Sequence, residues 1–294
     1  TGKTFFALAG LKHFLDANQD GIGMIFESES AISRQMLADR GIDVKRVGIV
    51  PVVTVQDMRT QVIRVIENYE KTPVKERVPL FFILDSLGNL STKKEVEDIL
   101  SGADTQDMTR AKLIKGAFLV FTLRLGRAQI PFVVTNHVYD DVGGGPYAQA
   151  QQSGGSGLIY AASTILTLSK AREKNNEGEV VGNIITATVE KGRFTREKSK
   201  VKVMLRYDGG MDRYYYLTEL AIEAGIFKKV STRIELPDGS KVFQSSIEKS
   251  SSPEVYFTKE VLDKIDEYCK LKFMFVNGSI AQEDSVSEEA TEKE

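Results

Sequence analysis

The chain has 294 residues, 41% of them apolar and 27% charged, with a formal charge of −2. That length can bury one large core plus a small domain, and the near balance of charge argues against a generally basic nucleic-acid binder. A single cysteine, Cys269, excludes a disulfide framework, two histidines (His13 and His137) argue against a Cys/His zinc cluster, and no apolar run is long enough to span a bilayer, so the composition reads as cytoplasmic.

The first four residues, Thr1-Gly2-Lys3-Thr4, are the second half of a phosphate-binding loop of the form GxxxxGK[ST]. The first glycine of that loop, the strand before it and an initiating methionine are therefore expected upstream. In such a loop backbone N–H groups of residues like Thr1 and Gly2 cradle phosphates, Lys3 reaches the outer phosphates and the Thr4 hydroxyl holds Mg²⁺ at a helix N-terminus. Taken alone, GKT is also a common exposed turn, and the context has to decide.

A helix is expected to run from there to about Asn18, followed by a strand at Gly23–Phe26, a helix over Ala31–Arg40, a strand at Val47–Val50 and a helix over Val55–Tyr69. Pro79–Asp85 is a continuous apolar run ending in an acid, as in a buried central strand. Asp107–Arg127 predicts a long helix, and Pro131–Asn136 another buried strand. The alternation is that of βαβ units around a mostly parallel sheet, an α/β nucleotide-binding core.

Longer β-type runs at Thr164–Leu168, Asn183–Val189 and Lys200–Arg206 predict an antiparallel extension of the sheet. Asp208-Gly209-Gly210 predicts a turn, Tyr214–Ala224 a helix stopped by Gly225, Pro237-Asp238-Gly239 a hairpin, and Thr258–Leu271 a last helix. Residues 281–294 hold six acids and one lysine, a net of −5 that leaves the rest of the chain at +3. This end is expected to be a solvated disordered tail, or one that competes with polyanions for a basic surface.

Asp85, at the end of the apolar strand and followed by Ser86, has the form of a Walker B acid able to share Mg²⁺ with Thr4. Beyond the strand at 23–26 stand Glu27, Ser28 and Glu29; alternation puts the two glutamates on one side, either to orient an attacking water or as solvated surface acids. Residues Val138–Gly157 form a long glycine-rich loop with Tyr139 and Tyr147, in which Gly143, Gly144 and Gly145 let the backbone approach a nucleic-acid strand and the tyrosines could stack on bases.

The segments Leu84–Asp98 (LDSLGNLSTKKEVED), Asp107–Lys112 (DMTRAK), Thr135–His137 (TNH), Val189–Arg193 (VEKGR) and Glu197–Lys200 (EKSK) occur in order with compatible spacing. In these the chain resembles the RecA-type strand-exchange recombinases, and within them the phage UvsX branch, over about residues 1–225. The resemblance implies a RecA-like P-loop ATPase core over 1–212, lacking its first strand and half of the phosphate loop, a small α+β domain over 213–280 and the acidic tail over 281–294. It implies that Lys3, Thr4 and Asp85 bind ATP and Mg²⁺, that Glu29 activates water, and that His137 senses the γ-phosphate. It further implies that Lys191 and Arg193 reach a neighbouring subunit's ATP. Val138–Gly157 would be the second DNA-binding loop, with Gly154 and Gly155 at its end. Glu97–Lys112 would be the first, with phosphate contacts at Arg110, Lys112 and Lys115. Met36 and Ser33 depart from the family's base-contacting aromatic residue and acid.

The expected function is that of an ATP-dependent DNA recombinase that coats single-stranded DNA as a filament and exchanges strands with homologous duplex DNA, in the host cytoplasm if phage-encoded. Single-strand-binding and loader proteins are expected partners, and no membrane is. A hexameric helicase or motor on the same core, and a non-catalytic single-strand-binding relative, are the alternatives.

Overall fold

The computed structural model describes residues 2–103, 108–139, 151–152, 156–175 and 177–275. The fold divides into two compact units that meet in sequence at Ala162 and Ser163.

The first unit begins with α1 (Lys3–Ala17), β1 (Ile22–Glu27), α2 (Arg34–Ala38), β2 (Val47–Pro51), α3 (Val55–Lys71) and β3 (Leu80–Asp85). It continues through α4 (Lys93–Ser101), α5 (Arg110–Ala128), β4 (Phe132–Val134), the short pair β5 (Val138–Tyr139) and β6 (Gln151–Gln152), and α6 (Ser156–Ala161). Strands β2-β1-β3-β4, in that order, form a parallel sheet. All six residues of β3 are buried, as its unbroken apolar run implies.

Alternate residues of that strand feed two cores. Leu80, Phe82 and Leu84 pack with Val62 and Ile66 of α3 and Phe118, Phe121 and Leu125 of α5, whereas Phe81 and Ile83 pack with Leu8, Leu11 and Leu15 of α1. Gly23 of β1 is required by close approach, since a Cβ there would lie 2.5 Å from the Leu11 side chain. Sequence and structure thus agree on an α/β unit covered by helices on both sheet faces.

Two stretches differ from the sequence expectation, for local reasons. The segment expected as a helix over Ala31–Arg40 is helical only at Arg34–Ala38, because Ser33 caps it by accepting the Met36 N–H at 3.1 Å and the preceding residues wrap around the Glu27 carboxylate. The Glu97–Lys112 stretch, expected as a loop, is helical as far as Ser101. A reciprocal capping box between Thr92 and Glu95 starts α4, and Gly102 ends it in the left-handed conformation at φ 74°.

The second unit holds β7 (Thr164–Lys174), β8 (Val180–Gly192), β9 (Lys200–Arg206), β10 (Gly210–Met211), α7 (Leu217–Glu223), β11 (Lys228–Val230), β12 (Arg233–Glu235), β13 (Lys241–Phe243), α8 (Gln244–Glu248) and α9 (Lys259–Phe273). The predicted antiparallel strands are present and, among the described residues, their ladders join them to one another in the order β10-β9-β8-β7, as a sheet of their own. Strand β8 has β7 on one side and β9 on the other along most of its 13 residues, so these long strands satisfy each other. The hairpin at Pro237-Asp238-Gly239 joins β12 to β13, and α9 matches its expected span to within two residues. Helix α7 starts three residues later than predicted, at Leu217, because Asp212 accepts the N–H groups of Tyr214 and Tyr215 and Tyr216 turns to φ 69°. The strands β11–β13 and helices α7–α9 enclose their own core, with Leu220, Phe227, Ile234, Ile247, Phe257, Val261 and Ile265 buried in it.

Candidate nucleotide site

The candidate site lies where β1, β3 and β4 end and α1 begins. Because β1 and β3 are parallel and in register, Glu27 stands level with Asp85, and β4 delivers Thr135 beside them. Gly2 caps α1 with φ 84°, a backbone state that glycine adopts without the strain a side chain would add. Lys3 and Thr4 are thereby the first residues of the helix, the end at which the helix dipole favours an anion.

Asp85 is 2% exposed and each of its oxygens accepts a hydroxyl. Thr4 Oγ1 donates to Oδ2 at 2.7 Å, and Thr135 Oγ1 donates to Oδ1. The loop residue and the acid at the end of the apolar strand are therefore in direct contact, although 81 positions separate them. Beyond Asp85, joined to it by a cis peptide bond, Ser86 is tied to Ser28 twice: its N–H donates to Ser28 Oγ at 2.9 Å, and Ser28 Oγ donates to its carbonyl at 2.8 Å.

The two glutamates, which alternation puts side by side, have separate roles. Glu27 is 6% exposed and turns back on its own chain, accepting the N–H groups of Glu29 at 3.0 Å, Ser30 at 2.8 Å and Ala31 at 2.9 Å. The chain bends sharply there, with Ser30 at φ 55°, and this turn frees Glu29 to face the other way. Glu29 accepts from Ser86 Oγ, and its Oε1 lies 3.3 Å from His137 Nε2. The Ser86 hydroxyl, foremost, then the hydrogen bond and charge of His137 and the charge of Lys3, hold the Glu29 carboxyl below the usual glutamate range against the opposing effect of burial. Glu27→Gln replaces one acceptor oxygen with an amide in a buried turn. It is expected to destabilise the first unit by about 1–3 kcal/mol, read as a lower urea midpoint.

His137 sits against Gly88, in the short 3₁₀ turn Leu87–Asn89; a Cβ at position 88 would come within 2.9 Å of the imidazole Cδ2. The same turn is held by Arg110, the first residue of α5. Its Nη2 donates to the carbonyls of Gly88 at 2.7 Å and Leu87 at 3.2 Å, and its Nε donates to that of Leu90 at 2.8 Å.

No protein-family model matches the chain. It is 32% identical over 227 residues to a recombination and repair protein of Enterobacteria phage T4, covering 77% of this chain and 56% of that protein. It is 25% identical over 229 residues to the RecA protein of Chloroherpeton thalassium, covering 78% and 61% respectively. Over most of its own length the chain is thus similar to a phage recombination and repair protein and to RecA. It spans less than two thirds of the length of these curated relatives. A solved RadB recombinase overlays with a TM-score of 0.46 at 17% identity over 69% of this chain and 85% of that one, a likeness too low to bear on the fold.

Of the residues that the resemblance to these recombinases singles out, Lys3, Thr4, Asp85, Glu29 and His137 are gathered at one edge of the parallel sheet. Lys112 is exposed on α5, two residues after Arg110, whose guanidinium faces the 87–90 carbonyls. Lys191 and Arg193 belong to the second unit. They flank Gly192, where a Cβ would lie 2.2 Å from Thr195 Oγ1, and the Arg193 N–H donates to Ser163 O at 2.9 Å. Thr1, Gly143, Gly144, Gly145, Tyr147, Gly154 and Gly155 lie outside the described residues, as does the side chain of Tyr139. Sequence reasoning did not find Ser28, Thr135, Gly88 or the inward turn of Glu27. Thr135 was present only as part of a motif, and nothing in the spacing distinguished Glu27 from Glu29.

Proposed function

We propose that this chain is the core of an ATP-dependent DNA recombinase, which binds single-stranded DNA as a filament and promotes pairing and strand exchange with a homologous duplex. The observation that carries this reading is the pairing of Thr4 with Asp85 at the start of α1 while Glu29 is held ionised by Ser86 on the residue next to Asp85. Similarity to a phage recombination and repair protein and to RecA supports it.

ATP would be held with its phosphates on the N–H groups at the start of α1 and on Lys3. One carboxylate and one hydroxyl in contact suit Mg²⁺, which takes few protein ligands and completes its shell with phosphate oxygens and water. When bound there the ion would neutralise charge on the outer phosphates. Among the described residues no group of three or more His, Cys, Asp or Glu side chains could hold a metal by itself, so the phosphates are needed to complete the site. Glu29 would orient and deprotonate the attacking water, and His137, against it, would report the presence of the γ-phosphate. Lys191 and Arg193 would supply charge to a neighbouring subunit's ATP, linking hydrolysis to assembly.

DNA contact would fall on the exposed Lys112 and Lys115 of α5, on Arg110 through the turn it holds, and on the segment from Tyr139 to Gly155. The domain division we favour is an ATPase core to residue 212 and a small domain from 213, whose separate hydrophobic cluster supports it. Among the described residues no helix is long and apolar enough to cross a membrane.

The direct test is single-strand-stimulated ATP hydrolysis by the full-length protein, with electron microscopy of the assembly. Helical filaments that need ATP are expected; closed hexamers, or DNA affinity indifferent to nucleotide, would overturn the reading. Binding should weaken with salt, log K falling with log[salt] by about 0.7 per phosphate contact. The pH dependence of hydrolysis has a defined sign. Glu29 must be ionised to act and its carboxyl is held low, so activity persists below the ordinary glutamate range and disappears as pH falls through the lowered value. Ser86→Ala removes the largest cause of that lowering and should move the acid limb to higher pH.

A further inference from the structure

The carbonyls of Leu87, Gly88 and Leu90 all face the guanidinium of Arg110. Carbonyl groups turned inward at a bend need donors, and a planar fork spreads its N–H groups over three nitrogens to reach carbonyls in different directions, whereas the three N–H groups of a lysine ammonium radiate from one atom. The turn is also tied to the end of β4, through the Leu87 N–H donating to Thr135 O at 3.0 Å. Its Gly88 carries no side chain on the side where the imidazole of His137 packs, and His137 in turn meets Glu29.

We propose that Arg110 is a positioning residue for hydrolysis: by holding the Leu87–Leu90 turn it fixes the surface of Gly88 against which His137 is seated, and so fixes His137 on Glu29. The inference rests on the roles of Glu29 and His137 given above. It assigns to the first residue of α5 an action on the Glu29–His137 pair. The coupling runs through packed and hydrogen-bonded atoms only: guanidinium to carbonyl, Gly88 to imidazole, imidazole to carboxylate. Loosening the turn lets the imidazole move away from Glu29 without touching Lys3, Thr4 or Asp85. The effect therefore falls on turnover and not on nucleotide affinity.

The test uses the full-length protein and two independent readouts. The imidazole resonances of His13 and His137 are assigned as those lost in His13→Gln and His137→Gln variants. Arg110→Ala should shift or broaden the His137 signal and leave that of His13 in place. It should also lower kcat for single-strand-stimulated hydrolysis on the order of 10- to 100-fold at unchanged ATP affinity, the scale of a small misplacement of a reacting group. Arg110→Lys, with one donor head, should fall between Ala and the parent. Should Arg110→Ala fail to fold, Gly88→Ala addresses the same seat from the other side and should displace the same His137 signal. A folded Arg110→Ala protein with an unmoved His137 signal overturns the proposal. A displaced signal in a protein whose parent form does not hydrolyse ATP supports the positioning role and overturns the ATPase reading instead.

Discussion

Glu29→Gln is expected to lower kcat for single-strand-stimulated ATP hydrolysis by about 10²- to 10⁴-fold, the range contributed by a positioned general base, with ATP binding close to that of the parent protein. The expectation follows from the division of labour in the site. Glu29 contacts Ser86 and His137, whereas the Thr4–Asp85 pair that would hold the metal and phosphates is built from other atoms. The amide is nearly isosteric and can still accept from Ser86, so the local geometry survives while the capacity to take a proton is lost. Rapid-mixing kinetics on the full-length protein, together with equilibrium binding of a fluorescent ATP analogue, separate the two effects. An unchanged kcat would show that the water is activated by another group, and a matching loss of affinity would mean that Glu29 binds nucleotide.

The largest effect on stability is expected at Phe82, in the middle of β3. Its ring is fully buried and lies edge-on to Phe26 at 5.5 Å and to Phe132 at 6.0 Å between centroids, so it joins β1, β3 and β4 beneath the site. Phe82→Ala removes that contact and leaves a cavity walled by strands that cannot readily collapse. A loss of about 3–5 kcal/mol is expected, as for other buried aromatic truncations. Urea unfolding followed by circular dichroism would measure it. A loss under about 1 kcal/mol would mean that the sheet repacks around the gap, contrary to the close packing expected of interiors. Because Asp85 is the last residue of the same strand, weakened variants should also lose nucleotide-dependent protection of the first unit.

Much of the architecture was legible because its signals are periodic or punctuated. The run Leu80–Asp85 could only be a buried strand, and its terminal acid marked the ligand-binding edge of a parallel sheet before any contact was known. The helix at Val55–Lys71 has apolar residues at Val55, Met58, Val62 and Ile66, the spacing of one buried stripe, and Thr54 caps it. The alternation rule misled at Glu27 and Glu29 because it presumes that the strand continues. The chain instead turns at Ser30, and one glutamate is consumed in holding that turn. Arg110 shows the same dependence on distant parts of the chain. Sequence gives its place on a helix but not the three carbonyls, some twenty residues earlier, that its side chain meets. The start of α7 was missed because an Asp carboxylate took the N–H groups that a longer helix would have left to its first turn.

The reciprocal hydrogen bonds between Ser28 and Ser86 have a consequence for control. They fasten the chain just beyond two neighbouring strands, one leading to Glu29 and the other carrying Asp85, so the sheet and the turn at Ser30 together set the spacing of the two acids. A site built this way is assembled before nucleotide arrives. Turnover is then hard to throttle by drawing the acids apart, which leaves the imidazole of His137 and the occupancy of the phosphate cradle as the adjustable parts. On the proposed reading, an inhibitor or a regulatory partner would act by moving that imidazole off Glu29 or by occupying the start of α1.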